Sequence, residues 1–247
     1  MSDKGIFLVT GGSRGIGAAT ARLAGKQYPV AIFYRERSDE ADKVVREIEQ
    51  DGGSAFAVKA DVGDEESLLR GFEVVDRAGR LAVLVNNAGV TGGVSRLENV
   101  SAATLTEVMR VNVVGSMLAA REAVRRMSTL KGGQGGAIVN LSSIAAVLGS
   151  PHNWIHYAAT KGAIDTMTIG LAKEVAKEGI RVNAVRPGLI NTEIQHDRSA
   201  SQMEKMLKAV PMGRMGTAEE IAEAIVWLAS PAASYISGAL LDVRGGM

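Results

Sequence analysis

Cysteine is absent from the chain. Disulfides, thiolate metal centres and a cysteine nucleophile are thereby excluded, and a reducing cytoplasm is compatible. An excess of either charge is also lacking, since 28 Lys and Arg stand against 27 Asp and Glu. So close a balance argues against a nucleic-acid partner or an acidic membrane, both of which call for a basic face. Long hydrophobic runs are missing too. The opening MSDKGIFLVTGG holds four consecutive apolar residues before its glycines, too few for a signal segment or a membrane span. The N-x-S sequons at Asn99 and Asn140 therefore carry little weight, and the expected setting is cytoplasmic. No metal site is expected either. His152 and His156 have a zinc-like i,i+4 spacing, but a third ligand is not in sight. With Asn153 and Trp154, His152 reads better as the rim of a substrate mouth.

What the chain does have is regular alternation. Its 247 residues, 46% hydrophobic and 22% charged, suit one large α/β domain over 1–247. Short apolar, β-branched runs at 5–10, 30–34, 55–60, 82–86, 137–142, 181–186 and 239–243 predict about seven strands. Runs apolar on both faces belong in a parallel sheet covered on both sides. Helical stretches at 39–51, 64–78 and 101–127 lie between them, so the fold class is a Rossmann-type doubly wound sheet with helices on both faces. GGQGG at 132–136 reads as a helix-to-strand loop. The stretch 187–216, strandless and following the sixth strand, is a candidate substrate lid.

The first strand runs directly into LVTGGSRGIGAATARLA, with Gly11, Gly15 and Gly17 at the opening of a helix. Glycines permit a sharp turn and a close backbone approach to a pyrophosphate, whose charge a helix N-terminus favours. At the first βα turn of an alternating chain this predicts a dinucleotide site. The other reading is a glycine turn needed only for tight helix packing.

The spacing from Thr10 to Gly17, T-G-x-x-x-G-x-G, resembles that of the short-chain dehydrogenase/reductase family. The likeness continues in order along nearly the whole chain. Asp61 and Val62 follow the third strand, NNAG (86–89) the fourth, and Asn112 lies in the helix segment RVNVVG. Ser143 ends the fifth strand, Tyr157 and Lys161 stand in IHYAATKGA, and RPGLINT (186–192) follows the sixth strand. The resemblance implies a nicotinamide dinucleotide held by Gly11, Ser13, Arg14, Gly15, Ile16 and Gly17 at its phosphates. It places Asp61 and Val62 at the adenine, Asn87, Ala88 and Gly89 along the cofactor, and Pro187, Gly188, Ile190 and Thr192 at the nicotinamide. It also makes Asn112, Ser143, Tyr157 and Lys161 one catalytic unit.

The chemistry suits that unit. Hydride transfer to or from a carbonyl creates or consumes an alkoxide, which needs a proton partner within hydrogen-bond reach. A free phenol titrates near pH 10. Lys161, one helical turn from Tyr157, is expected to lower that value by its charge and to hold the nicotinamide ribose. Ser143 would orient the substrate oxygen. Ser142 is as near in sequence, but side chains alternate along a strand, so only one of the two faces the site. Asn112 would hold a water linking Lys161 to solvent, or else be a buried asparagine satisfied by backbone.

For cofactor choice, the second strand ends with Tyr34 where an NAD-selecting acid would lie. Arg35 follows, and Arg14 sits in the glycine loop, a pair suited to a 2′-phosphate. NADP(H) is expected, with Glu36 the sign in favour of NAD(H). The expected activity is hydride transfer between NADP(H) and a carbonyl or secondary alcohol, by an enzyme similar to the glucose 1-dehydrogenase and 3-oxoacyl-carrier-protein reductase branches. Specificity would reside in the loops at 91–99, 144–154 and 187–210. A sensor that binds NADP without turnover is the rival from another class, against which the intact set of four speaks.

The arginines of REAVRRM (121–127) either dock an acidic carrier protein or form a solvated helix face. Val108, Val111, Val114 and Met117, then Ile164, Met167, Ile169 and Leu171, make two helices apolar on more than one face. Family relatives bury such helices between subunits and add a second interface near the C-terminus, so a homotetramer is expected.

Overall fold

The seven apolar runs form one parallel sheet in the order β3-β2-β1-β4-β5-β6-β7. Here β1 is Ile6–Thr10, β2 Val30–Tyr34, β3 Ala55–Lys59, β4 Leu81–Asn86, β5 Gly136–Leu141, β6 Ile180–Pro187 and β7 Leu240–Val243. The computed structural model describes residues 4–193 and 200–247. Alternate side chains divide β1 between two cores. Phe7 and Val9 join Ile32, Val44, Ile48 and Ile225 on one face, while Ile6 and Leu8 join Phe33, Leu68, Phe72 and Met127 on the other. Each fully buried aliphatic or aromatic side chain stabilises the fold by roughly 1.5–3 kcal/mol relative to exposure. The doubly covered sheet is therefore the rigid part of the molecule.

Three helices cover one face: α1 (Gly15–Gly25), α2 (Ser38–Gln50) and, late in the chain, α9 (Ala218–Ala229). The other is covered by α3 (Glu65–Ala78), α5 (Ser116–Met127) and α7 (Ile155–Val175), with α4 (Ala102–Met109) packed on α7 and the short α6 (Ala145–Leu148) following β5. The strand order reverses between β1 and β4, which opens a crevice at the strands' C-terminal ends.

Two expectations are modified. The helix expected over 101–127 contains a π-helical turn at Arg110–Gly115 between α4 and α5. One extra residue per hydrogen-bonded ring widens the helix there, a feature that tends to occur at functional sites. The arginines of α5 are also ion-paired within the chain, with Arg125 half exposed. Glu122, almost fully buried, receives Arg121, Arg125 and Arg126 at 3.0, 2.7 and 2.8 Å, and Arg121 and Arg126 also reach Glu65 and Asp76 on α3. These charges clamp two helices together.

The strandless stretch 187–216 is not all loop, since it contains α8 (Ala200–Lys208). Its two ends are tied where Asn191 N–H donates to Gly216 O and Gly216 N–H to Leu189 O, at 2.9 and 3.0 Å. The middle of the expected lid, 194–199, lies outside the described residues.

Candidate active site

At the crevice the glycine turn is laced to the end of β4. Asn87 and Ala88 N–H groups donate to Thr10 Oγ1 at 3.0 and 3.1 Å, and Asn87 Nδ2 donates to the carbonyls of Thr10 and Gly11, both at 2.9 Å. Below them Asn86 donates to Asn140, which donates to Thr168 on α7. This buried polar chain fixes β4, β5 and α7 relative to one another.

Gly11 and Gly15 take φ of +64° and +51°, backbone that L side chains rarely adopt. The helix that follows starts at Gly15 with no side chain capping it and no acid in its first turn, whereas α9 carries a full Thr217/Glu220 capping box. The first N–H groups of α1 are thus left for a ligand, and a helix N-terminus favours an anion. A cleft of about 570 Å³ opens in front of it. Gly11, Ser13, Arg14, Gly15 and Ile16 line it, together with Tyr34 and Arg35. Asp61 and Val62 lie along one side, and Asn87, Ala88 and Gly89 along the floor. Gly17 does not line the cleft. A Cβ there would lie 2.4 Å from Gly11 O, so this glycine serves the packing of helix against turn. Volume, exposed N–H groups and flanking arginines fit an extended dinucleotide.

A second cavity of about 170 Å³ adjoins the first, and Tyr157, Lys161 and Ser143 meet in it with Pro187, Gly188, Ile190 and Thr192. Both Ser142 and Ser143 line this cavity, and their hydrogen bonds distinguish them. Ser142 Oγ is buried and donates to the Lys161 carbonyl at 3.2 Å, anchoring α7. Ser143 Oγ accepts from Ala145 N–H at 3.1 Å and is hydrogen-bonded to Tyr157. Trp154 braces the Tyr157 ring edge-on, with centroids 5.8 Å apart.

The electrostatics depart from expectation. Dense packing around the Tyr157 phenol pushes it up to about 12, and the Ser143 hydrogen bond only partly opposes this. Burial brings Lys161 down to about 8, with the Asp165 charge opposing. The Lys161 ammonium donates to Leu141 O at 2.5 Å and stands 5.5 Å from the Tyr157 ring centre, so its charge is directed to a carbonyl. In the protein alone, desolvation outweighs the neighbouring cation, and the phenol keeps its proton at neutral pH.

Asn112 lies in the π-helical turn, almost fully buried, and lines neither cavity. Its Oδ1 accepts from Val90 N–H at 2.8 Å, and its Nδ2 donates to Val90 O and Thr160 Oγ1 at 2.9 and 3.1 Å. The backbone-satisfied alternative describes this side chain, which braces the wall through Val90 and Thr160. At the expected substrate mouth Trp154 lines the second cavity, whereas Asn153 O accepts from Ser95 N–H at 2.9 Å and ties two loops together. His156 bonds Thr91 O at 2.8 Å, and no group of three metal-ligating side chains occurs among the described residues.

Sequence reasoning missed Arg37 and Glu193 in the first cleft and Met206 in the second. A signal for Arg37 existed in the Arg35-Glu36-Arg37 run after β2. Glu193 directly follows the motif that ends at Thr192, and nothing in the sequence told Met206 from other lid residues.

A doubly wound sheet, a glycine turn before an uncapped helix and a Ser-Tyr-Lys cluster beside it together define a dinucleotide-linked oxidoreductase. Comparison with known proteins agrees. The family described as enoyl-(acyl carrier protein) reductase matches residues 11–247. YgfF of Escherichia coli K12, described as an uncharacterized oxidoreductase, is 48% identical over 244 residues, covering 98% of this chain and 99% of its own length. Glucose 1-dehydrogenase 2 of Bacillus subtilis is 39% identical, covering 97% and 93%. The crystal structure of a Burkholderia cenocepacia short-chain dehydrogenase in complex with NADP superposes with a TM-score of 0.90 at 33% identity, covering 99% and 98%. The chain belongs to the short-chain dehydrogenase/reductase family.

Proposed function

We propose that the protein is an NADP(H)-dependent carbonyl reductase, acting on an uncharged carbonyl compound with Tyr157 as the proton donor. The meeting of Tyr157, Ser143 and Lys161 in a small cavity that opens onto the phosphate-binding cleft carries this reading. Bound NADPH supplies the hydride. Ser143, hydrogen-bonded to Tyr157, orients the substrate oxygen, and Tyr157 transfers its proton to that oxygen as negative charge develops on it. Lys161 Nζ stands 3.8 Å from where a Cβ on Gly89 would be, at the wall between the cavities, and from there its ammonium holds the ribose. Asn112 positions that wall through Val90 and Thr160.

With the phenol pushed up to about 12, Tyr157 carries its proton throughout the neutral range, as a proton donor must. Among the described residues lining the second cavity, Lys161 is the only charged side chain, and Leu148, Trp154, Ile190 and Met206 make apolar walls. Such a lining suits a compact ketone or aldehyde better than a sugar. Steady-state turnover with NADPH and with NADH on apolar ketones, acyl thioesters and glucose tests this. Fast reduction of apolar ketones is expected, whereas a purified protein that binds NADPH and turns over none of the carbonyls would be the sensor instead.

A subunit interface is part of the same reading. Val108, Val111 and Ile164 fill the protein's own core, but Met109, Val114 and Met117 remain 46, 47 and 46% exposed, with Ile169 at 39% on α7. A second copy covering these helices explains the apolar face. Light scattering should give a dimer or tetramer of the 25.9 kDa chain, and Met117→Asp should shift it toward monomer. A wild-type monomer at micromolar concentration would refute it.

A further inference from the structure

One oxygen of Glu193 lies between two guanidinium groups. Arg14 Nη1 stands 2.6 Å from Glu193 Oε2, and Arg37 Nη1 stands 3.4 Å from the same atom. The three residues come from the glycine turn, the N-cap of α2 and the segment after β6, and all line the first cleft. Two arginines converging on one point repel each other unless an anion lies between them; here Glu193 serves both, while Arg37 Nη1 is also held by Glu40 Oε1 at 2.8 Å. Arg35 is directed elsewhere, to Glu36 at 3.0 Å and Glu107 at 3.2 Å.

We infer that Arg14 and Arg37 form the anion site for the cofactor's 2′-phosphate, and that Glu193 occupies this site until the phosphate displaces it. Arg37 is then a specificity-determining residue and Glu193 an internal competitor, an inference that rests on the NADP(H) reading above. A phosphate monoester offers up to two charges and three acceptor oxygens against one charge and two oxygens on a carboxylate, so it wins the pair of guanidiniums. A dinucleotide ending in a 2′-hydroxyl offers no charge there and leaves the Glu193 contacts in place. Because the three side chains are each about half exposed, each contact is weak enough to exchange.

The test measures binding to the full-length protein, with no turnover involved. NADPH and NADH are titrated by nicotinamide fluorescence, and 2′,5′-ADP and 5′-AMP compete as probes carrying or lacking the 2′-phosphate. Arg37→Ala should weaken NADPH and 2′,5′-ADP about tenfold, at the low end for a charged hydrogen bond, and leave NADH and 5′-AMP unchanged. Glu193→Gln should tighten the two phosphate-bearing ligands several-fold, again without effect on the other two. Added to Arg37→Ala, it should give a smaller gain, because one of the charges that Glu193 masks has gone.

Equal effects of Arg37→Ala on NADPH and NADH, or no effect on either, would overturn the inference. So would a Glu193→Gln variant that binds NADPH no more tightly than wild type. If wild type itself binds neither NADPH nor 2′,5′-ADP, the NADP(H) reading fails. A wild type that prefers NADPH with an unresponsive Arg37 refutes only the assignment made here.

Discussion

Tyr157→Phe is expected to lower kcat about 10²–10⁴-fold, the usual contribution of a general acid, while NADPH binding stays within a factor of two. Only one oxygen is removed. The ring keeps its edge-on contact with Trp154, and α7 stays anchored through Ser142 and the Lys161 carbonyl. Ser143 loses a hydrogen-bond partner but keeps the one from Ala145 N–H. Single-turnover reduction with prebound NADPH separates chemistry from binding, and a variant with half the wild-type rate would remove Tyr157 from its role.

Lys161→Met should show the second large effect, in two parameters at once. The methionine stem fills the same space, yet the donor to Leu141 O and the charge proposed to hold the ribose are lost. We expect the cofactor KM to rise by about tenfold or more, in line with the loss of a charged hydrogen bond. A fall in kcat should accompany it, because the phenolate left after proton donation no longer has a cation nearby. The wild-type enzyme should show a milder form of this with pH. Burial brings Lys161 down to about 8, so the ammonium is complete below that value and is lost as pH rises through it. Cofactor affinity should therefore decline above about pH 8 in the wild type and stay flat in Lys161→Met. A rate loss with unchanged NADPH binding would contradict the ribose role.

The seven strands were legible because each is a short, largely apolar run, buried throughout in the inner strands β1 and β4 and half-buried at the edges β3 and β7. Their ends shifted by about one residue, as with β5 at Gly136–Leu141 against an expected 137–142. The glycine turn could be recognised from its place at the first βα turn, whereas Tyr157 and Lys161, one helical turn apart, stood out through the family resemblance. What stayed hidden depends on distant partners. The π-helical turn at Arg110–Gly115 has no periodic signature in six residues. Glu122 looks like any helix-surface acid until Glu65 and Asp76 on α3 bring the arginines over it. Arg35 drew attention by its position after β2, yet whether it or Arg37 meets Arg14 depends on where the chain returns at Glu193, 179 residues beyond Arg14.

The two cavities share part of their wall, including Ile16, Asn87, Gly89 and Thr192. This common partition sets an order in time. A dinucleotide lying along the first cleft completes one side of the second, so the carbonyl compound finds its full seat only after the cofactor has arrived. Once the carbonyl compound is seated, it covers the reactive end of the dinucleotide. On the proposed carbonyl-reductase reading, the cofactor should bind before the carbonyl compound and leave after the alcohol, and product-inhibition kinetics check that order.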